Sequence, residues 1–136
     1  GGVTRDYVEF AVHAFDPAAQ SWSPVAFEGK LPQPRVGFGL ALCGPSAYVF
    51  GGSRDNAFFN DTFEFKLETK QIVPLGVKKP AAAPPSHAPS KRYGHAMCGD
   101  SDRVYVYGGY FKNQVLGDLW VMDGIGRTWK EITVNQ

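Results

Sequence analysis

The stretch that decides the fold is residues 92–132, RYGHAMCGDSDRVYVYGGYFKNQVLGDLWVMDGIGRTWKEI. It is one copy of an internal repeat, because residues 35–75 keep the same order 57 positions earlier (92 − 57 = 35) without a gap. The double glycine at 108–109 falls on the one at 51–52. Unrelated segments rarely keep register through glycine pairs and a following aspartate, so we interpret the match as a true internal repeat.

The first residues continue the pattern as a partial copy. Gly1 and Gly2 precede the glycine pair of the next unit by 50 positions. Trp22 has the same phase as Trp129, which means that it occupies the same position within its repeat. The chain is therefore predicted to hold the second half of one unit followed by two whole units. The residues that recur at fixed phase are Gly1, Gly2, Trp22, Arg35, Gly37, Gly51, Gly52, Asp61, Arg92, Gly94, Gly108, Gly109, Asp118 and Trp129.

A period near 50 with a glycine pair after a β-rich run resembles the kelch repeat family, in which each repeat is one four-stranded blade of a β-propeller. The resemblance covers nearly the whole chain. It implies an all-β fold, a kelch-type β-propeller segment of four-stranded antiparallel blades in an incomplete ring. Two positions depart from the pattern: Ile72 replaces the expected tryptophan, and Ala11 stands where the first unit should carry its aspartate.

The resemblance implies four parts. Residues 1–34 are predicted to form the two outer strands of a blade and a connection, 35–75 a complete blade, 76–91 a Pro/Ala-rich inter-blade loop, and 92–136 a second complete blade. Proline lacks an N–H group, so the loop cannot join a β-ladder. The predicted strands are residues 7–15, 21–27, 37–43, 47–51, 62–66, 71–75, 94–99, 103–108, 118–123 and 128–133.

Composition excludes several classes of protein. Fourteen basic and thirteen acidic residues give a formal net charge of +1, so no global field favours nucleic acid or a membrane surface. No apolar run approaches about 18 residues, and no basic region followed by a hydrophobic one opens the sequence. We expect a cytoplasmic protein with neither a nucleic-acid nor a membrane partner. Cys43 and Cys98 are expected to be buried, reduced thiols.

The sequence carries no recognisable catalytic or metal-binding pattern. Cys-x-x-Cys, Gly-x-Ser-x-Gly and phosphate-binding loops are absent, and His13, His87 and His95 share no ligand spacing. We therefore predict no enzymatic activity and no cofactor. His95 has the phase of Phe38, so a packed ring is expected there. The alternative is a fragment of a kelch-type propeller enzyme, like the galactose oxidases or sialate epimerases, whose active site lies mostly outside this chain.

The repeated side chains are expected to serve the architecture. The recurring arginines and aspartates should satisfy local backbone groups or pair within a sheet. Trp22 and Trp129 present large flat surfaces suited to filling the gap between blades. The pattern Asn60-Asp61-Thr62 matches a glycosylation acceptor, but its aspartate is already explained by the repeat.

Strand direction alternates in an up-and-down blade, so the loop after strand two and the connection into the next blade share one face. Loops 53–60, 110–117 and 76–90 are predicted to lie there. Rigid scaffolds usually recognise partners through such loops. Their aromatic and cationic side chains are typical of interface hot spots. The candidate partner-binding residues are Arg54, Phe58, Tyr110, Phe111 and Lys112.

The leading interpretation is a non-enzymatic protein-protein interaction module, a scaffold that binds a protein partner through these loops. The first half-blade should lack its two inner strands, which would leave an unpaired edge on residues 7–15. An exposed edge and apolar flank favour association. We therefore also expect contact with remaining propeller blades, another chain or another copy.

Overall fold

Strands joined by short turns make up the computed structural model, which describes residues 2–3, 8–76, 88–125, 127–133 and 135. This part of the chain contains fourteen strands and no α-helix. Two antiparallel four-stranded sheets follow strand pairs from the first unit, and the sheets do not close into a ring. The predicted all-β fold of four-stranded blades is confirmed. Most of the proline-rich loop, residues 77–87 with His87, lies outside the described residues.

The first unit contributes two antiparallel strand pairs. They are β1 (Gly2–Val3) with β2 (Val8–Glu9), and β3 (His13–Asp16) with β4 (Ser21–Pro24). The prediction of one strand over residues 7–15 is therefore wrong. The ladder breaks between β2 and β3, where Phe10 is buried, with ring centroids 5.4 Å from Phe38 and 6.0 Å from Phe65.

The second unit forms a complete blade with a small additional hairpin. Its strands are β5 (Gly39–Cys43), β6 (Ser46–Phe50), β7 (Ser53–Arg54), β8 (Ala57–Phe58), β9 (Thr62–Lys66) and β10 (Gln71–Leu75). The sheet order is β5-β6-β9-β10, and β7 pairs only with β8 among the named strands. Every residue of β6 is buried. A strand covered on both faces reads as a continuous apolar run, which explains the sequence of this segment.

The third unit forms the second complete blade. Its strands are β11 (Ala96–Gly99), β12 (Arg103–Phe111), β13 (Gln114–Asp123) and β14 (Trp129–Ile132), in that order across the sheet. Strand β12 continues past its glycine pair through an irregularity between Tyr107 and Gly109. The segments 53–60 and 110–117 were predicted as loops, which is wrong: both contain hairpin strands. Lys112 and Asn113 turn the second hairpin with φ of 43° and 64°, the left-handed geometry that two-residue hairpins favour.

Two apolar clusters lie between neighbouring units. In each cluster, the later blade contributes residues from the same five repeat positions. In the cluster between the complete blades, the third blade contributes Val104, Val106, Trp120, Met122 and Trp129. The second blade contributes the residues 57 positions earlier to the other cluster. We call these residues the front face of the second blade: Ala47, Val49, Phe63, Phe65 and Ile72. The second blade meets the third with its back face, which comprises Ala41, Cys43, Tyr48 and Phe50.

Trp22 is 69% exposed, so the prediction that it fills a gap between blades is wrong within this chain. Trp129 is 4% exposed because its ring packs 5.3 Å from that of Phe50, on the blade before it. No described residue occupies the corresponding position before Trp22. Its ring instead packs 5.0 Å from Phe15, on the neighbouring strand of its own sheet.

The back face of the third blade has no sheet packed against it among the described residues. Cys98 has the phase of the buried Ala41 but is exposed, so its predicted burial is wrong, whereas the predicted burial of Cys43 is confirmed. Tyr107 likewise has the phase of the fully buried Phe50 but is 54% exposed. The burial of a repeat position therefore depends on whether another sheet packs against it. None of the described residues forms a helix that could span a lipid bilayer.

An ion pair also joins the two complete blades. Glu64 of β9 is buried and accepts hydrogen bonds from Ser46 Oγ at 2.8 Å and Arg127 Nη2 at 2.6 Å. Arg127 reaches it from the turn between β13 and β14. Burial, reinforced by the charge of Glu64, raises the pKa of the adjacent Tyr48 to about 12. Because this pair joins a buried carboxylate of one blade to an arginine of the other, its geometry constrains how the two blades pack.

Candidate protein-interaction surface

A buried arginine holds the base of each hairpin. Arg35 forms a bidentate ion pair with Asp61 and donates a hydrogen bond to the Gly51 carbonyl at 3.2 Å. Arg92 repeats this arrangement in the third blade, with distances of 2.7 and 2.8 Å to Asp118 and 2.9 Å to its glycine carbonyl. The hydrogen bonds from Arg92 hold the pKa of Asp118 below its ordinary value. Bidentate pairs fix geometry as well as charge, so both hairpins project from a rigid base.

The two hairpins touch through aromatic rings. Phe58 of β8 packs edge-on against Phe111 of β12, with ring centroids 5.2 Å apart. Phe58 also contacts Tyr93 at 5.6 Å, and Tyr93 contacts Tyr110 at 5.4 Å. All four side chains are half-buried, so part of each ring remains accessible to solvent. We call these four residues and Lys112 the aromatic surface.

Polar groups lie beside the four rings. The Lys112 Nζ atom lies 5.4 Å from the ring centroid of Phe111, within the range of a cation–π contact. The Tyr110 hydroxyl donates a hydrogen bond of 2.9 Å to Asn113 Oδ1. The structure thus brings together four of the five residues predicted as partner-binding: Phe58, Tyr110, Phe111 and Lys112.

Arg54, the fifth predicted residue, lies apart from this surface. Its side chain is 45% exposed, and its Nε atom lies 3.8 Å from a carboxylate oxygen of Asp55. It lines a separate open depression together with Gln33 and Phe59. None of the contacts described for Arg54 joins it to the aromatic rings.

Comparison with known proteins identifies the repeat. The model of the KLHDC2/KLHL20/DRC7 Kelch-repeats domain matches residues 1–136. The chain belongs to the kelch-repeat family. Kelch domain-containing protein 2 of Bos taurus is 30% identical over 114 residues, which cover 80% of this chain and 26% of that protein.

Other kelch relatives are similarly distant. Leucine-zipper-like transcriptional regulator 1 of Homo sapiens is 31% identical over 113 residues, 82% of this chain and 13% of that protein. Kelch domain-containing protein 10 of Xenopus tropicalis is 34% identical over 88 residues, 65% of this chain and 20% of that protein. The chain therefore spans between 13% and 26% of the length of these three relatives.

The aromatic surface departs from the kelch repeat within this chain. At the equivalent positions of the second blade, 57 residues earlier, Tyr93, Tyr110 and Phe111 correspond to Val36, Ser53 and Arg54. Adding 57 replaces Phe58 with Val115. The arginine–aspartate pairs and double glycines recur in both blades, whereas these rings occur at one blade junction. Since the other positions of equal phase fold without them, the architecture does not require the four rings.

Sequence reasoning missed Tyr93, the residue that links Phe58 to Tyr110. It lies in the connection just before Gly94, and its N–H and carbonyl groups bond the backbone of Tyr110 at 3.1 and 2.9 Å. The signal that could have found it is the replacement of Val36 by an aromatic residue at the same phase. Its contact with Phe58 could not be predicted, because that contact depends on how closely two blades approach.

His95 is packed, as its replacement by phenylalanine in the other kelch repeat suggested. It is 8% exposed and lies edge-on to Phe50 at 5.4 Å, and neither ring nitrogen has a hydrogen-bond partner within the described part of the chain. Burial and then the neighbouring Arg92 charge lower its pKa to about 4, partly opposed by the backbone of Phe50. Gly39 leaves the space for this ring, because a Cβ atom there would lie 2.6 Å from the His95 Nε2 atom. Among the described residues, no group of three or more His, Cys, Asp or Glu side chains is arranged to hold a metal ion.

Proposed function

We propose that this chain is a non-enzymatic interaction module that binds another protein through the aromatic surface. The observation that carries the proposal is the continuous contact of four half-buried rings across one blade junction, at positions where the repeat does not require them. Kelch repeats commonly serve as protein-interaction modules, which supports the same conclusion. Residues 35–75 and 92–136 each act as one blade in this proposal. Residues 1–34 form the outer half of another blade, and 76–91 form the connection.

The chemistry of the surface favours a protein ligand. Aromatic rings supply a large contact area with little rotamer freedom to lose, and Tyr and Arg are enriched among residues that dominate binding energies. Lys112 and the Tyr110 hydroxyl add polar groups at the border, as in the usual arrangement of an apolar centre and a polar rim. Arg54 is included as a contact at the periphery. We place the module in the cytoplasm, where its two free cysteines would stay reduced.

The test begins with a photo-crosslinking residue at position 112 of the full chain, used to capture and identify a partner in cells. Affinity for the purified partner is then measured with Phe111→Ser, Lys112→Glu and the control Val115→Ser. Val115 has the phase of Phe58 and is 87% exposed, so it is matched in hairpin position and apolar character. We expect Phe111→Ser to weaken binding at least about tenfold, as for an interface hot spot, and Val115→Ser to leave it unchanged.

Two results would contradict this proposal. The first is a partner whose affinity is insensitive to Phe111→Ser and Lys112→Glu while the variants keep the melting temperature of the parent chain. The second is equal weakening by Val115→Ser, which would show that the contact is not specific to the four rings, because Val115 is the cross-strand partner of Tyr110.

A further inference from the structure

The aromatic surface lies within a local excess of positive charge. The two hairpins and the end of the connection between the blades, residues 53–60, 110–117 and 88–95, contain four basic side chains and one acidic one, a formal charge of +3. The whole chain has a formal net charge of only +1, so the positive charge is concentrated in these segments. The buried Arg92 is neutralised by its bidentate pair with Asp118, which leaves three basic side chains and one acidic one. These four are Arg54, Asp55, Lys91 and Lys112.

Two of these lysines have no carboxylate partner of their own. Lys91 and Lys112 are exposed, and no ion pair within the described part of the chain joins either to an Asp or Glu. The carboxylate of Asp55 instead lies 3.8 Å from the Arg54 Nε atom. An ammonium group has three N–H donors, so the contact of Lys112 with the Phe111 ring leaves donors available for a ligand.

A cation beside an apolar contact limits which partner can bind. A partner that covers the exposed part of Phe111 also removes water from Lys112, because its Nζ atom lies 5.4 Å from the centroid of that ring. An ammonium group that loses water without gaining an opposite charge costs free energy. A carboxylate at this place offsets the cost and also accelerates the encounter. The charge therefore selects an acidic ligand over a neutral or basic one.

The arrangement of the rings favours a protein segment over a nucleic acid. Proteins that bind single strands also combine positive charge with aromatic rings, but they offer open ring faces on which bases stack. Phe58 and Phe111 meet at an interplanar angle of 88°, and Tyr93 and Tyr110 at 79°. In each pair one ring turns a face to the edge of the other, so that face is not open to a base. Aliphatic and aromatic side chains suit the remaining edges better.

We propose that the aromatic surface binds an acidic protein segment in which Asp or Glu residues flank a large apolar side chain. The apolar side chain contacts the exposed parts of Phe58 and Phe111, and carboxylates pair with Lys112 and Lys91. Arg54 contributes less, because Asp55 already lies beside it. This inference rests on the binding role proposed above for the aromatic surface and adds the chemistry of the partner.

The probe is a library of random short peptides displayed on phage and selected on the immobilised full chain. A parallel selection on Phe111→Ser identifies the peptides that use the aromatic surface, because only those are lost on the variant. Among them we expect Asp and Glu to be enriched, and Lys and Arg to be depleted, relative to the unselected library. Selection on Lys112→Glu should reverse this preference from acidic to basic residues.

Affinity for a selected peptide then tests each lysine. Lys112→Gln and Lys91→Gln should each weaken binding about two- to fivefold, the range of a solvent-exposed ion pair. Added salt should weaken binding to the parent chain more than binding to the double variant, because salt screens exposed charges. Lys130→Gln changes an exposed lysine on the outer strand β14, so it is the matched control and should leave the affinity unchanged.

The outcomes separate this inference from the proposed function. Peptides that depend on Phe111 but show no enrichment of Asp and Glu would overturn the inference and leave the binding role of the aromatic surface intact. If no selected peptide depends on Phe111, both are overturned. Phe111-dependent binding of a single-stranded oligothymidylate that is tighter than that of every selected peptide would also overturn the inference, since the ligand would then be a nucleic acid.

Discussion

Replacement of His95 should remove a specific acid sensitivity from the fold. The ring is 8% exposed and lies near the Arg92 charge, so its neutral form is favoured when folded. The pKa falls from 6.5 to about 4 on folding. At about 1.36 kcal/mol for each pH unit, the difference corresponds to at most about 3 kcal/mol of stability.

The sign follows from which state binds the proton first. As pH falls below 6.5 the unfolded chain protonates this histidine, whereas the folded chain does so only near pH 4. The contribution is therefore fully present above pH 6.5, declines between pH 6.5 and 4, and is lost below that range. His95→Leu keeps a similar volume and removes the titrating group, so it should flatten the pH dependence without a large loss at pH 7.

The assay is urea unfolding at several pH values, with unfolding free energies compared between the parent chain and His95→Leu. The difference between the two matters, because carboxylates also titrate at the acidic end. His13→Gln, which alters an exposed histidine, is the matched control and should follow the parent curve. Parallel curves for the parent and His95→Leu from pH 6.5 to 4.5 would refute the reasoning.

Three further predictions concern stability and accessibility. Arg92→Lys should lower the unfolding free energy by about 1.5–3 kcal/mol in chemical denaturation, because lysine keeps the charge but loses the bidentate geometry, whereas the exposed Arg54→Lys should change it by less than about 0.5 kcal/mol. Trp129→Ala should destabilise the chain by about 3–5 kcal/mol and Trp22→Ala by less than about 1 kcal/mol, since only the former empties a filled position. A reversed order in thermal melts would contradict the blade-junction packing. Limited trypsin digestion should cut first within residues 76–90, which carry many prolines and small residues, and first cuts inside β6 or β12 would count against the blade assignment.

The fold could be predicted because the repeat encodes backbone geometry. Gly51 and Gly52 have φ of 67° and 99°, and Gly108 and Gly109 have 64° and 101°. Residues with a Cβ atom rarely adopt these values, so the sequence must repeat glycine wherever the blade repeats. The aspartate that follows each glycine pair also recurs at a fixed position, because it forms the ion pair with the buried arginine.

The parts that could not be predicted depend on neighbours rather than on the local sequence. Trp22 and Trp129 have the same phase, yet the blade that precedes each one decides its burial. The rings of Phe58 and Tyr93 are in contact only because the two blades pack side by side. The strands β7 and β8 were missed because two-residue strands show too little alternation to be separated from a loop.

The arginine–aspartate pair beneath each hairpin bears on how such a surface could change over evolutionary time. The arginine of each pair binds the glycine carbonyl at the hairpin base, and neither side chain of the pair lies in the hairpin tip. The residues at the tip therefore contribute little to the stability of the blade. Serine, arginine and aspartate stand at one tip, and tyrosine, phenylalanine and lysine at the same phase of the other. Duplicated blades can therefore diverge in what they recognise while inheriting one unchanged frame, and a tip grafted from one blade to the other should carry its specificity with it.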